Sequence, residues 1–170
     1  ISHDRKKLNL IFDQVGFIFL FAPLHHQAMK YVMPVRQKIA EKTIFNLLGP
    51  HTNPCNAKRQ VLGVYNKELV RTFSNVAKNL DMEHVLIVHG DDGTDEISIS
   101  GPTEVTEIDR GRIESFQINP TDAGLKVHAF EEIKGGSPEF NATKIIELSE
   151  GKNNGFLDSV LLNSATAIYI

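Results

Sequence analysis

Four carboxylates crowd one short loop of the sequence: Asp91, Asp92, Asp95 and Glu96, in "HVLIVHGDDGTDEIS", residues 84 to 98. Carboxylate oxygens are hard ligands. The neighbours Asp95 and Glu96 would point to opposite sides of a strand, but from a loop they can converge on one cation or two, and that chemistry suits Mg2+. The spacing does not match an EF-hand calcium loop, which needs acids at alternate positions followed by glycine and a distant Glu. The competing reading is an exposed polar turn, because loops of this composition are common.

Other residues have weaker claims. His25 and His26 can be ligands, bases or ordinary helix residues, and no His-Glu-x-x-His spacing supports zinc. Arg36 is either a surface charge or a guanidinium fork for a carboxylate. "NLLGPHTNP" concentrates Asn, Gly and Pro, which expose backbone N–H groups and allow close approach to a flat or anionic ligand. Neither Gly-x-Gly-x-x-Gly nor Gly-x-x-x-x-Gly-Lys-[Ser/Thr] occurs in the sequence, which argues against a Rossmann or Walker nucleotide site within it.

The elements that must hold these groups alternate between strand and helix. Val85 to Val88 form an apolar run bounded by turn residues, the pattern of a strand buried on both faces, which periodicity alone does not separate from a buried helix segment; as a strand it sets the acids at its carboxyl end, where open α/β sheets bind ligands. Leu8, Ile11, Phe12 and Val15 stand at helical spacing before Gly16, which predicts an amphipathic helix over residues 3 to 15 with a glycine C-cap. "FIFLF", residues 17 to 21, is expected as a buried strand, and a helix opening near Leu24 should carry His25, His26 and Met29 towards Pro34. "QVLGVY" predicts another strand. Asn66 can cap a helix over residues 67 to 80. The alternation in "EVTEI" and "RIESFQI" around "DRGR" predicts a hairpin with one wet face, an antiparallel appendage to a parallel sheet. Ser137 at N-cap with Pro138 at N1 starts another helix, and a last one carries "SVLLNSATAIYI". The expected architecture is an α/β layered sheet, mostly parallel with an antiparallel hairpin and helices on its faces, with residues 1–170 forming part of a single domain.

At 170 residues, 41% hydrophobic and 23% charged, the chain is ordinary globular sequence. A net charge of −3 without a basic stripe disfavours nucleic acid. One cysteine, Cys55, fits a reducing compartment such as the cytoplasm. The longest apolar stretch, "VGFIFLFAP", falls far short of the roughly 20 residues of a membrane span. The sequence starts at Ile1 rather than Met and stops within an apolar run, so it is expected to be a piece of a longer protein.

In this order, "GFIFLFAPLHHQAMKYVMPVR", "KTIFNLLGPHTNPCNAKRQVLGVY" and "VHGDDGTDEIS" resemble the anthranilate phosphoribosyltransferase family, with further echoes at "PTDAGL", "GGSPEFNA" and "LLN". The resemblance implies the nucleoside phosphorylase/phosphoribosyltransferase-like fold. It also implies transfer of the phosphoribosyl group of phosphoribosyl pyrophosphate (PRPP) to anthranilate, with Mg2+ and release of pyrophosphate, in tryptophan biosynthesis. By motif, Asp95 and Glu96 match the family's magnesium pair. Arg36 matches the arginine that meets the anthranilate carboxylate, and His26 with Gly49 and Pro50 matches its acceptor pocket. A full-length family enzyme is expected to be a cytoplasmic homodimer.

Gln27 departs from the family's "HPAM" motif. The family's "GTGGD" phosphate loop, an early lysine and an N-terminal helical domain are absent from these residues, so the chain alone is expected to have little or no activity. The alternatives are a nucleoside phosphorylase-like enzyme and a non-catalytic relative of the same fold that binds a metabolite or nucleic acid.

Overall fold

The computed structural model describes residues 4–25, 29–39, 53, 55–80 and 82–170. Contacts divide the chain into two units, Ile1–Asn56 and Ala57–Ile170. No helix among the described residues is long and apolar enough to cross a membrane.

The regular elements described in the first unit are helices. Helix α1 (Arg5–Val15) begins where the Asp4 carboxylate accepts a hydrogen bond from the Lys6 N–H, and it ends at Gly16, whose φ of 72° lets its N–H turn back to the Phe12 carbonyl. Helix α2 (Ala22–His25) is one turn long, and α3 spans Met29–Ile39. Pro34 lies inside α3 instead of closing it: the helix runs one further turn beyond the residue that cannot donate to the carbonyl four positions back. The expected strand over residues 17 to 21 does not form. Phe17 and Phe19 are 69% and 62% exposed, and no strand among the described residues pairs with this run, so its backbone has no ladder to join. Most of the "TIFNLLGPHTNP" segment falls outside the described residues.

The second unit is a four-stranded sheet with helices against it. Its strands are β1 (Arg59–Gly63), β2 (His84–Gly90), β3 (Thr103–Asp109) and β4 (Arg112–Ile118), in that spatial order. Strands β1 and β2 are parallel, Gly63 opposite Val88. The β2–β3 and β3–β4 pairings are antiparallel, so the sheet is mixed and its hairpin is continuous with the parallel pair. Arg110 and Gly111, at φ 46° and 86°, form the two-residue turn between β3 and β4, whose twist matches the strands on either side. The wet face expected of this hairpin is carried by β4, an edge strand exposed along nearly its whole length.

Strand β2 is the centre of the core. Val85, Leu86, Ile87 and Val88 are each at most 1% exposed, and burial stabilises each by about 1.5–3 kcal/mol relative to exposure. Leu86 and Val88 cluster with Ile97, Ile99, Val105, Leu162 and Ile170. Val85 and Ile87 alternate to the opposite face, where helix α4 (Glu68–Asn79) packs with Phe73, Ser74 and Ala77 buried. Asn66 helps start α4 by accepting from the Glu68 N–H at 2.9 Å.

Three more helices follow: α5 (Phe130–Ile133), α6 (Pro138–Ser149) and α7 (Gly155–Tyr169). The Ser137 hydroxyl accepts from the Phe140 N–H, with Pro138 at the first helical position, as the sequence predicts. Asn154 caps α7 through the Leu157 N–H. His128 links α5 to α7: Nε2 lies 2.8 Å from Asp158 Oδ2 and Nδ1 lies 3.2 Å from Glu132 Oε2. The bond to Asp158, then the one to Glu132, raises the His128 pKa above the ordinary histidine value.

Candidate active site

The acidic loop leaves β2 at Gly90 and folds back on itself. Gly90 N–H donates to the Thr94 carbonyl at 3.0 Å and Gly93 N–H to the Gly90 carbonyl at 2.8 Å, with Gly93 at φ 87°. Gly90 is tightly covered: a Cβ there would sit 2.5 Å from Thr94 Oγ1 and 2.6 Å from Asp92 Oδ1.

Asp92 organises this turn from within. Its Oδ1 accepts from the Thr94 N–H at 3.0 Å and the Thr94 hydroxyl at 2.7 Å, and its Oδ2 accepts from the Ser98 hydroxyl at 2.6 Å. Burial acts to raise the Asp92 carboxyl pKa, but the bonds from Ser98 and Thr94 outweigh it and hold the pKa below the ordinary aspartate value. Asp92 is thus committed to the loop. The Asp-x-Thr spacing is the local signal for such a turn, in which the carboxylate accepts the N–H two residues on.

Asp95 and Glu96 are used differently. The Asp95 carbonyl rests on Gly63 of β1, where any side chain would collide with it. Both acids line a cleft of about 470 Å³ at the carboxyl end of β1 and β2, walled by Val61 and Val88 and by Ser159, Asn163 and Ser164 of α7. Among the described residues neither carboxylate has a hydrogen-bond or ion-pair partner. The Glu96 carboxyl is pushed up, first by loss of water within the cleft and then by the negative charges of Asp95 and Asp92. Lys67, near the loop, is paired with Glu104.

Two adjacent hard-oxygen groups that repel one another at a strand's carboxyl end fit a small divalent cation. No cluster of three or more His, Cys, Asp or Glu able to hold a metal occurs among the described residues. A pair is nonetheless sufficient for an ion such as Mg2+, which keeps several waters and takes substrate phosphate oxygens as further ligands.

Asp95 and Glu96 are therefore brought together at the cleft. Arg36 lies in α3, and its side chain is outside the described set, as are His26, Gly49 and Pro50. His25, beside His26, has its Nε2 buried with no hydrogen-bond partner among the described residues. The roles of Asp92, Gly63 and Asn163 emerge only from the fold. Gly63 and Asn163 act on residues more than thirty and sixty positions away, and no local pattern marks them.

A mixed sheet with a carboxylate pair at the end of its parallel strands defines an α/β domain with a candidate cation site at the sheet's edge. The family model described as "Glycosyl transferase family, a/b domain" matches residues 1–170, and the chain belongs to this family. Among curated relatives, the chain is 45% identical over 158 residues to the anthranilate phosphoribosyltransferase of Parvibaculum lavamentivorans, covering 93% of this chain and 46% of that protein. It is 44% identical over 158 residues to the anthranilate phosphoribosyltransferase of Nitrobacter hamburgensis, covering 93% and 47%. Its fold superposes on anthranilate phosphoribosyltransferase from Saccharomyces cerevisiae in complex with PRPP and Mg, with a TM-score of 0.82 and 32% identity, over 95% of this chain and 47% of that one. A complex of the same yeast enzyme with 4-fluoroanthranilate gives a TM-score of 0.83 at the same identity and coverage. The chain spans about half the length of the curated relatives it matches.

Proposed function

We propose that these residues form part of an anthranilate phosphoribosyltransferase, which moves the phosphoribosyl group of PRPP to the amine of anthranilate and releases pyrophosphate. The observation that carries the reading is the Asp95–Glu96 pair, anchored through its backbone on Gly63 while both carboxylates stay unpaired among the described residues.

On this reading Asp95 and Glu96 hold Mg2+, which when bound offsets the charge that develops on departing pyrophosphate. Asp92 shapes the loop that presents the pair. Arg36 forks onto the anthranilate carboxylate, and His26, Gly49 and Pro50 line the acceptor pocket. The reaction joins an electron-poor ribosyl centre to a nearby aromatic amine, so positioning and electrostatics contribute more than a strong base would. The exposed free thiol of Cys55 supports a cytoplasmic setting, and the same reading takes the full-length enzyme as a homodimer. Half the length of the relatives, assayed alone, is expected to show little or no transfer.

The test is Asp95→Asn with Glu96→Gln in the full-length enzyme. Turnover should fall sharply and the magnesium dependence should shift while the fold is retained. Unchanged turnover at every magnesium concentration would refute the assignment.

A further inference from the structure

We infer that Asn163 is a positioning residue for the cation-binding pair, holding the backbone next to Glu96 from the facing helix. The inference rests on the reading that Asp95 and Glu96 take a divalent cation. Asn163 Oδ1 accepts from the Ile97 N–H at 3.0 Å, and Asn163 Nδ2 donates to the Ile97 carbonyl at 2.9 Å. The same Nδ2 also donates to the Ser159 carbonyl at 3.0 Å, one turn back along α7. One acceptor and both donors of the amide are thus engaged. Exchanging its oxygen and nitrogen would set an NH2 against the Ile97 N–H, so the partners fix its orientation.

The consequence for Glu96 follows from peptide geometry. The Ile97 N–H belongs to the planar unit that contains the Glu96 carbonyl, so immobilising it restricts the rotation that aims the Glu96 side chain. Ile97 is 1% exposed within the main apolar cluster and cannot swing away. On the other side of the pair, Gly63 seats the Asp95 carbonyl. The two acids are therefore bracketed through their backbone while their carboxylates stay free for a ligand, an arrangement suited to a cation that demands near-ideal geometry. Docking of α7 does not itself require an amide at this position, since Leu162 and Thr166 on the helix and Ile170 just past its end are already buried.

The experiment uses the isotope-labelled full-length enzyme, with Mn2+ affinity read from paramagnetic broadening, amide exchange measured at Ile97, and melting recorded for every variant. Asn163→Ala should speed exchange at Ile97 and weaken Mn2+ binding by about 10- to 100-fold, the usual effect of removing a group that orients a metal ligand. Asn154→Ala is the control: it removes the cap of α7 without touching Ile97, so it should lower the melting temperature and leave Mn2+ affinity unchanged. Wild-type Mn2+ affinity in Asn163→Ala, or an equal loss in Asn154→Ala, overturns the inference. If Asn163→Ala does not fold, Asn163→Gln replaces it. That variant carries the same amide one methylene further out and should also weaken Mn2+ binding, and unaltered affinity in it overturns the inference equally. Broadening that is absent in the wild type, or that survives Asp95→Asn with Glu96→Gln, defeats the cation reading itself and this inference with it. Loss in that double variant but not in the Asn163 variants defeats the positioning role alone.

Discussion

A methyl group on Gly63 would lie 1.6 Å from the carbonyl oxygen of Asp95, so the acidic loop rests directly on the bare backbone of β1. Gly63→Ala must push the loop or the strand aside. The expected cost is about 1–3 kcal/mol, the range for overpacking a well-filled site. Gly101→Ala, where an added Cβ meets nothing within 4 Å, should be near neutral. Denaturant midpoints of the two variants test the difference, and equal midpoints would show that the loop has slack over β1.

Asp92→Ala removes the acceptor of three hydrogen bonds that shape the turn. Because the loop is exposed, the expected loss is about 1–2 kcal/mol, at the low end for bonds to a charged group. The pH dependence has a definite sign. Asp92 is held below its ordinary pKa in the folded chain, so its contribution is present above the unfolded value of 3.8 and is lost as pH falls through the folded value. Acid titrations of stability should therefore converge for wild type and Asp92→Ala at low pH.

The clasp made by His128 has the opposite sign. Its pKa is raised by Asp158 and Glu132, so its contribution is full below the unfolded value of 6.5 and disappears as pH rises through the folded value. His128→Gln should lower the melting temperature at pH about 6 and have progressively less effect in alkaline buffer. A pH-independent difference would mean that packing, and not charge, holds α5 to α7.

On the proposed function, Arg36→Ala in the full-length enzyme should weaken anthranilate binding by about 1.5–3 kcal/mol, the scale of a hydrogen bond to a charged group. Binding of PRPP should barely change. Calorimetric titration with each substrate separates the outcomes, and equal losses for both would assign Arg36 a packing role through its aliphatic stem.

What was legible in the sequence follows the range of the forces involved. The central strand was readable because Val85 to Val88 are apolar on both faces, α1 because Leu8, Ile11, Phe12 and Val15 repeat at helical spacing before Gly16, and α6 because Ser137 and Pro138 act within one turn of their own backbone. The hairpin turn at Arg110 and Gly111 is equally local. "FIFLF" misled for the same reason: its composition favours a strand, but a strand forms only where another supplies its hydrogen bonds. At the site, the sequence singled out Asp95 and Glu96 by residue type. It did not reveal that Asp92 is spent on Thr94 and Ser98, or that the glycine under Asp95 and the amide beside Glu96 come from β1 and α7.

The bond between Asn163 and Ile97 spans 66 residues of sequence, and that interval orders events on the ribosome. At ~5–20 residues per second, translation reaches Asn163 roughly 3 to 13 s after it has passed Ile97. Until then Ile97 and Ile99 also lack Leu162 and Ile170, their partners in the apolar cluster. The nascent chain thus passes through a stage in which β2 and the hairpin can pair and the loop can rest on Gly63, while Ile97 lacks its amide clamp and apolar residues beside it are open to chaperones. On the proposed function, the cation-binding pair has both of its backbone supports only after α7 has emerged.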